Sequence, residues 1–191
     1  MPNAERPFRA TGCLLEFRVR RLALGIQPYI CRMAFERTLT PEQALQKAKQ
    51  YCAYQERSHQ EVKDKLYSYG LHKPSVETML SQLIEENYLN EERFAIAFAG
   101  GKFRMKHWGK VKIKYELKLK KVSDYCIKKA LQSIEDEPYF ETLHKLAEEK
   151  WKTLKGEKNI FVKMRKMHDY LLQKGYENEW VRDAVEKQRG K

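Results

Sequence analysis

The chain has 191 residues, with 38 Lys and Arg against 26 Asp and Glu, a net charge of +12 and a pI near 9.5. That length admits one or two ordinary domains, and the charge asks for an acidic partner: nucleic acid, a phosphate-rich surface or an acidic protein face. Cys13, Cys31, Cys52 and Cys126 lie far apart, with no C-x-x-C and no pair of His suited to zinc, and no apolar run has the length of a membrane span.

Residues 1–32 hold six Arg and no Lys, whereas the first Lys is Lys47 and residues 33–191 hold 25 Lys and seven Arg. Met33 opens MAFERTLTPEQAL, a sensible start for the folded part. Residues 1–32 are therefore expected to be an upstream extension or an over-called start; a flexible arm and an Arg-rich transit peptide are the alternatives. Arg and Glu interrupt the start, so no secretory signal is expected. The expected compartment is cytoplasmic and reducing, with free thiols.

From residue 40 the helix punctuation is clear. Thr40-Pro41-Glu42-Gln43 is a capping box with Pro at the first helical position. Its helix should run to about Gln55 and bury Ala44, Leu45, Ala48, Tyr51 and Cys52. A second box, Ser58-His59-Gln60-Glu61, starts a helix that stops before Gly70. Pro74 opens a third, with Val76, Met79, Leu80, Leu83 and Ile84 inward. Asn90 caps a fourth, with Phe94, Ala95, Ala97 and Phe98 on its core side. Gly100-Gly101 predicts a bend or early end there, since each Gly in a helix interior costs up to ~1 kcal/mol relative to Ala. Trp108-Gly109 turns into a fifth helix, Lys110 to about Lys120, and Ser123 caps a sixth. Asp136-Glu137-Pro138 starts a seventh, the longest, through Leu143, Leu146, Ala147 and Trp151 to Leu154. Gly156 breaks it; Asn159 and Asn178 cap the eighth and ninth.

One apolar pattern recurs through these helices. Val62, Leu66, Leu71, Val76 and Leu80 match Ile113, Leu117, Val122, Ile127 and Leu131 at an offset of 51, and Met167, Leu171, Tyr176, Val181 and Val185 a further 54 along. In each copy two apolar residues four apart share a helix face, a turn follows, and a second short helix carries the rest. VKIKYELKL alternates like a strand, but the helical copies on either side decide for helix. The expected fold is all-α: three tandem three-helix repeats, 40–89, 90–135 and 136–191, each too small to bury its own apolar face, stacked as an elongated curved array. Residues 1–39 are expected to form a poorly structured N-terminal extension.

Three segments carry a family resemblance: S-x-x-E-V-x-x-K-L-x-x-x-G-L at Ser58–Leu71, L-x-x-L-I-E-E-N-Y-L-N-E-E-R-F-A at Leu80–Ala95, and G-K-V-K-I-K-Y-E-L at Gly109–Leu117. In that order they resemble the RecX family, bacterial regulators of the RecA recombinase, over about three quarters of the chain, Pro41 to Gln188. The third segment is Lys-rich where the family is usually Arg-rich. Residues 1–32 match nothing in it. Lys121 stands where the family has glycine after the unit's second helix, which leaves that turn's geometry open. The resemblance implies a non-enzymatic protein that binds the RecA–DNA filament along its groove and suppresses recombination and ATPase activity, in the setting of DNA repair and the SOS response.

Independently of the resemblance, the charge is concentrated. Residues 102–129 hold eleven Lys and Arg against two acids. Lys110, Lys114 and Lys118 are four apart and Lys121 three further on, so one helix face is expected to be cationic, and like charges at that spacing repel unless an anion covers them. Lys102, Arg104 and Lys106 approach from the preceding helix, and Lys112 and Lys120 complete the candidate nucleic-acid or filament-binding set. A solvated lysine-rich face is the bland alternative. Phe103, His107 and Trp108 could stack on bases, but core placement is favoured for Phe103 and Trp108. Trp151 and Trp180 read as packing between units. Glu91 and Glu92 read as first-turn carboxylates, and His59 and His72 as exposed. Nothing forms a catalytic, metal or cofactor constellation.

The expected function is regulation of a RecA filament by a monomeric protein that contacts DNA through phosphates, without membrane or small-molecule substrate. The alternatives are a helix-turn-helix-like DNA-binding regulator acting without a recombinase, and a helical scaffold for an unrelated acidic protein.

Overall fold

Each predicted helix forms, and most begin where their punctuation falls. The computed structural model describes residues 39–189, and among these it has nine helices and no strand: α1 Pro41–Tyr54, α2 His59–Ser68, α3 Lys73–Glu85, α4 Glu91–Lys106, α5 Lys110–Leu119, α6 Asp124–Gln132, α7 Asp136–Thr153, α8 Ile160–Lys174 and α9 Asn178–Arg189. The N-terminal extension lies outside the described residues but for residue 39, and Cys13 and Cys31 lie outside them too. Both capping boxes close reciprocally, Thr40 with Gln43 and Ser58 with Glu61. The side chains of Asn90 and Asn159 accept from the first-turn N–H groups of α4 and α8.

The helices pack in threes, α1–α3, α4–α6 and α7–α9. Of the fifteen matched apolar positions all are buried except Leu71 and Leu131, which are half-buried against the core. The turn after the second helix has a left-handed residue in every unit: Gly70 (φ 80°), Lys121 (φ 57°) and Gly175 (φ 92°). Lys121 thus adopts the geometry its counterparts in the other two units reach with glycine, at a cost of roughly 1 kcal/mol for its Cβ. The N–H groups of Val122 and Tyr176 then bond the carbonyls of Leu117 and Leu171, five residues back, the closure that stops a helix at such a residue.

Several local expectations fail. Helix α4 neither bends to an end nor stops at Gly100-Gly101 but continues to Lys106, where His107 (φ 53°) terminates it. Its buried Phe94, Ala95 and Ala99 pack it against α6, and that tertiary packing outweighs the glycine propensity. Ala99 rather than Ala97 faces the core, and Ile84 is exposed. Ser123 does not cap α6 with its side chain; its N–H and hydroxyl both donate to the Glu91 carboxylate, at 3.2 and 2.8 Å. Glu92 bonds Lys129 at 2.9 Å, so the two first-turn acids of α4 also tie it to α6. Asn178 is the first residue of α9, not its cap. Trp151 and Trp180 pack inside the third unit: Lys163 lies over the Trp151 ring and Phe140 meets Trp180 edge-on at 4.7 Å. His59 is half-buried.

The apolar core is not divided by three. One cluster runs through the second and third units without a break, whereas the first unit has a cluster of its own. Between the second and third units, the unsatisfied N-terminal N–H groups of α5 meet the unsatisfied C-terminal carbonyls of α8. Gly109 N–H donates to Lys174 O at 3.0 Å, and Val111 N–H to Gly175 O at 3.1 Å. Both backbones approach closely because both residues are glycine: a Cβ on Gly109 would stand 2.1 Å from Gly175 O, and one on Gly175 2.2 Å from Lys112 Cβ. Between them Lys110 N–H donates to the hydroxyl of Tyr139, which donates to Glu177 at 2.5 Å. Tyr139 is 1% exposed and its ring lies 5.8 Å from that of Phe103. Burial, then the bond to the Glu177 carboxylate, push the Tyr139 hydroxyl far above its ordinary pKa.

At the equivalent place between the first and second units the chain uses side chains. Ser58 is the counterpart of Gly109, and its N–H is already taken by Glu61 of its own capping box. The other oxygen of Glu61 accepts from Lys120 at 2.6 Å, and Glu56 pairs with Arg93 at 2.5 Å. Burial raises the Glu61 carboxyl, but the bonds from Lys120 and Ser58 outweigh it, and the group is held below the usual carboxylate range.

Candidate nucleic-acid interface

Of the nine basic residues singled out in the sequence, eight separate into three groups and Arg104 stands apart. Lys110, Lys114 and Lys118, on the exposed flank of α5, line an open groove of about 740 Å³ together with Lys128 and Gln132 of α6 and the start of α7. This face is not wholly cationic. Lys110 pairs with Asp136 at 2.7 Å and lies over the Tyr139 ring, and Lys118 pairs with Asp124 at 3.3 Å. Lys114 and Lys128 make no ion pair among the described residues. Lys128 escaped the sequence reading because it sits on α6, one element beyond the α5 stripe, and only packing brings the two together.

Lys102, Lys106 and Lys112 form the second group, a collar around one indole. Their ammonium groups lie 5.4, 5.5 and 4.9 Å from the Trp108 ring centroid, each contact worth about 0.5–1 kcal/mol at an exposed site. Trp108 is half-buried against the core, and Phe103 packs there too, as expected. Arg104 folds back beside Gly100. The Lys112 ammonium also donates to Gln173 O at 3.2 Å and that of Lys174 to Lys106 O at 3.4 Å.

The third group belongs to the boundary with the first unit. Lys120 is committed to Glu61, and Lys121 does not prolong the α5 stripe but lines a hollow with His59, Lys63 and Glu77. Lys129, outside the expected set, is raised well above its ordinary pKa by its bonds to Tyr125 and Glu92. Among the described residues no cluster of three metal-ligating side chains occurs, and no helix is long and apolar enough to cross a membrane.

A basic middle unit between two more neutral ones, built on a thrice-repeated three-helix plan, can now be set beside known proteins. A family profile described as RecX, second three-helix domain, matches residues 90–131, and one described as RecX, third three-helix domain, matches 136–185. This chain belongs to the RecX family. The Regulatory protein RecX of Clostridium perfringens (strain 13 / Type A) is 32% identical over 130 residues, 68% of this chain and 60% of the relative. That of Bacillus cereus (strain B4264) is 29% identical over 146 residues, 76% of this chain and 53% of the relative. The matched part thus spans little more than half the length of these relatives. That of Prosthecochloris aestuarii, 29% identical over 143 residues, is covered to 91% of its length. The crystal structure of RecX from Lactobacillus salivarius superposes with a TM-score of 0.69 at 24% identity, over 77% of this chain and 95% of that one, and shares the fold. RecX proteins are a family of regulators, as the relatives' names state.

Proposed function

We propose that this protein binds a RecA–DNA filament and lowers its recombination and ATPase activity, as a non-enzymatic cytoplasmic regulator of DNA repair and the SOS response. The observation that carries the reading is the concentration of the charge on the middle unit of a RecX-type array. The outer units reach neighbouring protomers and the middle unit approaches the DNA phosphates. Engaging several protomers adds avidity, so each contact can be weak. Lys114 and Lys128, which lack carboxylate partners among the described residues, are the proposed phosphate ligands, with Lys118 beside them. The basic residues of the α5 groove are all Lys, suited to phosphate rather than to bidentate base readout, and this favours the filament over a sequence-reading regulator.

The test is recombinase ATPase activity on single-stranded DNA with and without the protein. Inhibition by the wild type is expected, with relief when Lys114, Lys118 and Lys128 are changed together to Glu. Lys110 is left alone because Asp136 and Tyr139 make it part of a unit junction. The same variant should flatten the dependence of log affinity for naked single-stranded DNA on log salt by about 2, at ~0.7 per phosphate contact. Undiminished inhibition would remove the groove from the mechanism.

A further inference from the structure

The segment VKIKYELKL has an apolar residue at every second position, and a helix can bury only half of them. Ile113 and Leu117 go to the core. Val111, Tyr115 and Leu119 form a row four apart on the outward face of α5, and they are 53, 61 and 60% exposed. At 100° per residue the row runs between Lys114 and Lys118 on one side and Lys112 on the other.

The other two units supply an internal control. At the offsets that align the core residues, the counterparts of this row are Gln60, Asp64 and Ser68 in the first unit and Arg165, Asp169 and Gln173 in the third. Those rows are polar and close on themselves: Gln60 bonds Asp64 at 2.7 Å, and Arg165 pairs with Asp169 at 3.9 Å. The same position in the same fold therefore carries polar residues twice. The apolar row is a property of the middle unit and not a requirement of the repeat.

We propose that this face of α5 is a docking ridge for a protein segment that presents apolar side chains bordered by carboxylates, such as an acidic amphipathic helix. Apolar side chains at i, i+4 and i+8 fit the spacing by which helices are read in grooves, and an aromatic at the centre of such a patch is the usual energetic anchor. Charge complementarity selects the occupant. A second copy of the chain would bring one lysine border against another. The chain's own first 32 residues, with six Arg against two Glu, would likewise bring positive charge to positive charge. A nucleic-acid backbone would satisfy the lysines but press phosphates against Val111 and Leu119. Division of labour follows: the groove with Lys114 and Lys128 faces phosphate, and the adjoining ridge faces protein. This rests on the reading that the partner is a recombinase filament.

The test changes Val111, Tyr115 and Leu119 together to Gln, imitating the polar rows of the other units, with thermal melting as the check that the fold is kept. Binding is measured to a recombinase filament on single-stranded DNA and to the same DNA naked. The variant is expected to bind naked DNA like the wild type and the filament about thirtyfold more weakly, the effect of losing one hot-spot residue. Unchanged filament affinity overturns the proposal. Equal loss on naked DNA makes the ridge a nucleic-acid surface and also overturns it. Self-association of the wild type that the variant abolishes assigns the ridge to a second copy, against the proposal. A wild type that binds no filament sinks the functional reading itself, an outcome distinct from the others because it precedes any substitution.

Discussion

The two junctions between units occupy equivalent places in the repeat, yet they are built from different materials. Between the second and third units the backbone does the joining: helix-end N–H groups meet helix-end carbonyls through a pair of glycines, over a shared apolar core. The opposed helix ends also suit each other electrostatically, the positive start of α5 against the negative end of α8. Between the first and second units, whose cores are separate, the joints are the Glu61–Lys120 and Glu56–Arg93 ion pairs. Partly exposed pairs of this kind contribute about 0–1 kcal/mol each. One pattern of apolar residues thus carries a joint over a shared core, expected to be rigid, and a joint of ion pairs between separate cores, expected to yield.

The largest expected effect breaks the rigid joint. Gly175→Ala puts a Cβ 2.2 Å from that of Lys112 at a residue with φ 92°, and should cost about 3 kcal/mol or more in urea unfolding. Gly156→Ala, whose Cβ would meet nothing within 4 Å, should stay within about 0.5 kcal/mol. Equal effects at the two sites would refute the close glycine approach.

Next comes the bond network inside the same joint. Tyr139→Phe leaves the Lys110 N–H and the Glu177 carboxylate without their hydroxyl partner and should cost about 1–3 kcal/mol. Its pH signature follows from a hydroxyl whose pKa is raised on folding. The stabilisation is complete below the ordinary tyrosine value near 10 and declines only as pH climbs toward the raised one. Melting of the wild type and Tyr139→Phe at neutral and alkaline pH measures this.

The smallest effect belongs to the yielding joint. Glu61→Gln keeps the capping-box geometry, since Gln serves there too, and removes the ion pair, for about 1 kcal/mol or less. The folded Glu61 carboxyl has a lowered pKa, so its contribution is present above the ordinary value near 4.3 and disappears as pH falls through the lowered one. The difference between wild type and variant should therefore vanish in acid, and also shrink in high salt. Amide exchange in α1–α3 against α7–α9 reads it directly: loss of protection confined to the first unit is expected, and uniform loss would mean that the three units unfold as one.

Much of this was legible beforehand. The helices, their order and the buried faces follow from caps, glycine punctuation and the 3.6-residue period, which are local properties of the chain. Local rules erred where distant residues intervened. The pair Gly100-Gly101 was outweighed by packing of α4 on α6, and Ser123 found Glu91, 32 residues away, instead of its own helix. The candidate site was legible as a set of residue types but not as a surface. Lysines at i and i+4 are visible in the sequence; Asp136 and Asp124 beside two of them, and Lys128 in the same groove, are not.

By itself, then, the sequence determined a basic, thrice-repeated helical chain with its charge at the centre, because periodicity and charge are written residue by residue. Only the tertiary structure decided that Gly109 meets Gly175, that Lys120 is spent on Glu61, and that Val111, Tyr115 and Leu119 are left outside. Those outcomes depend on which groups, far apart in the chain, compete for the same neighbour once the helices are packed.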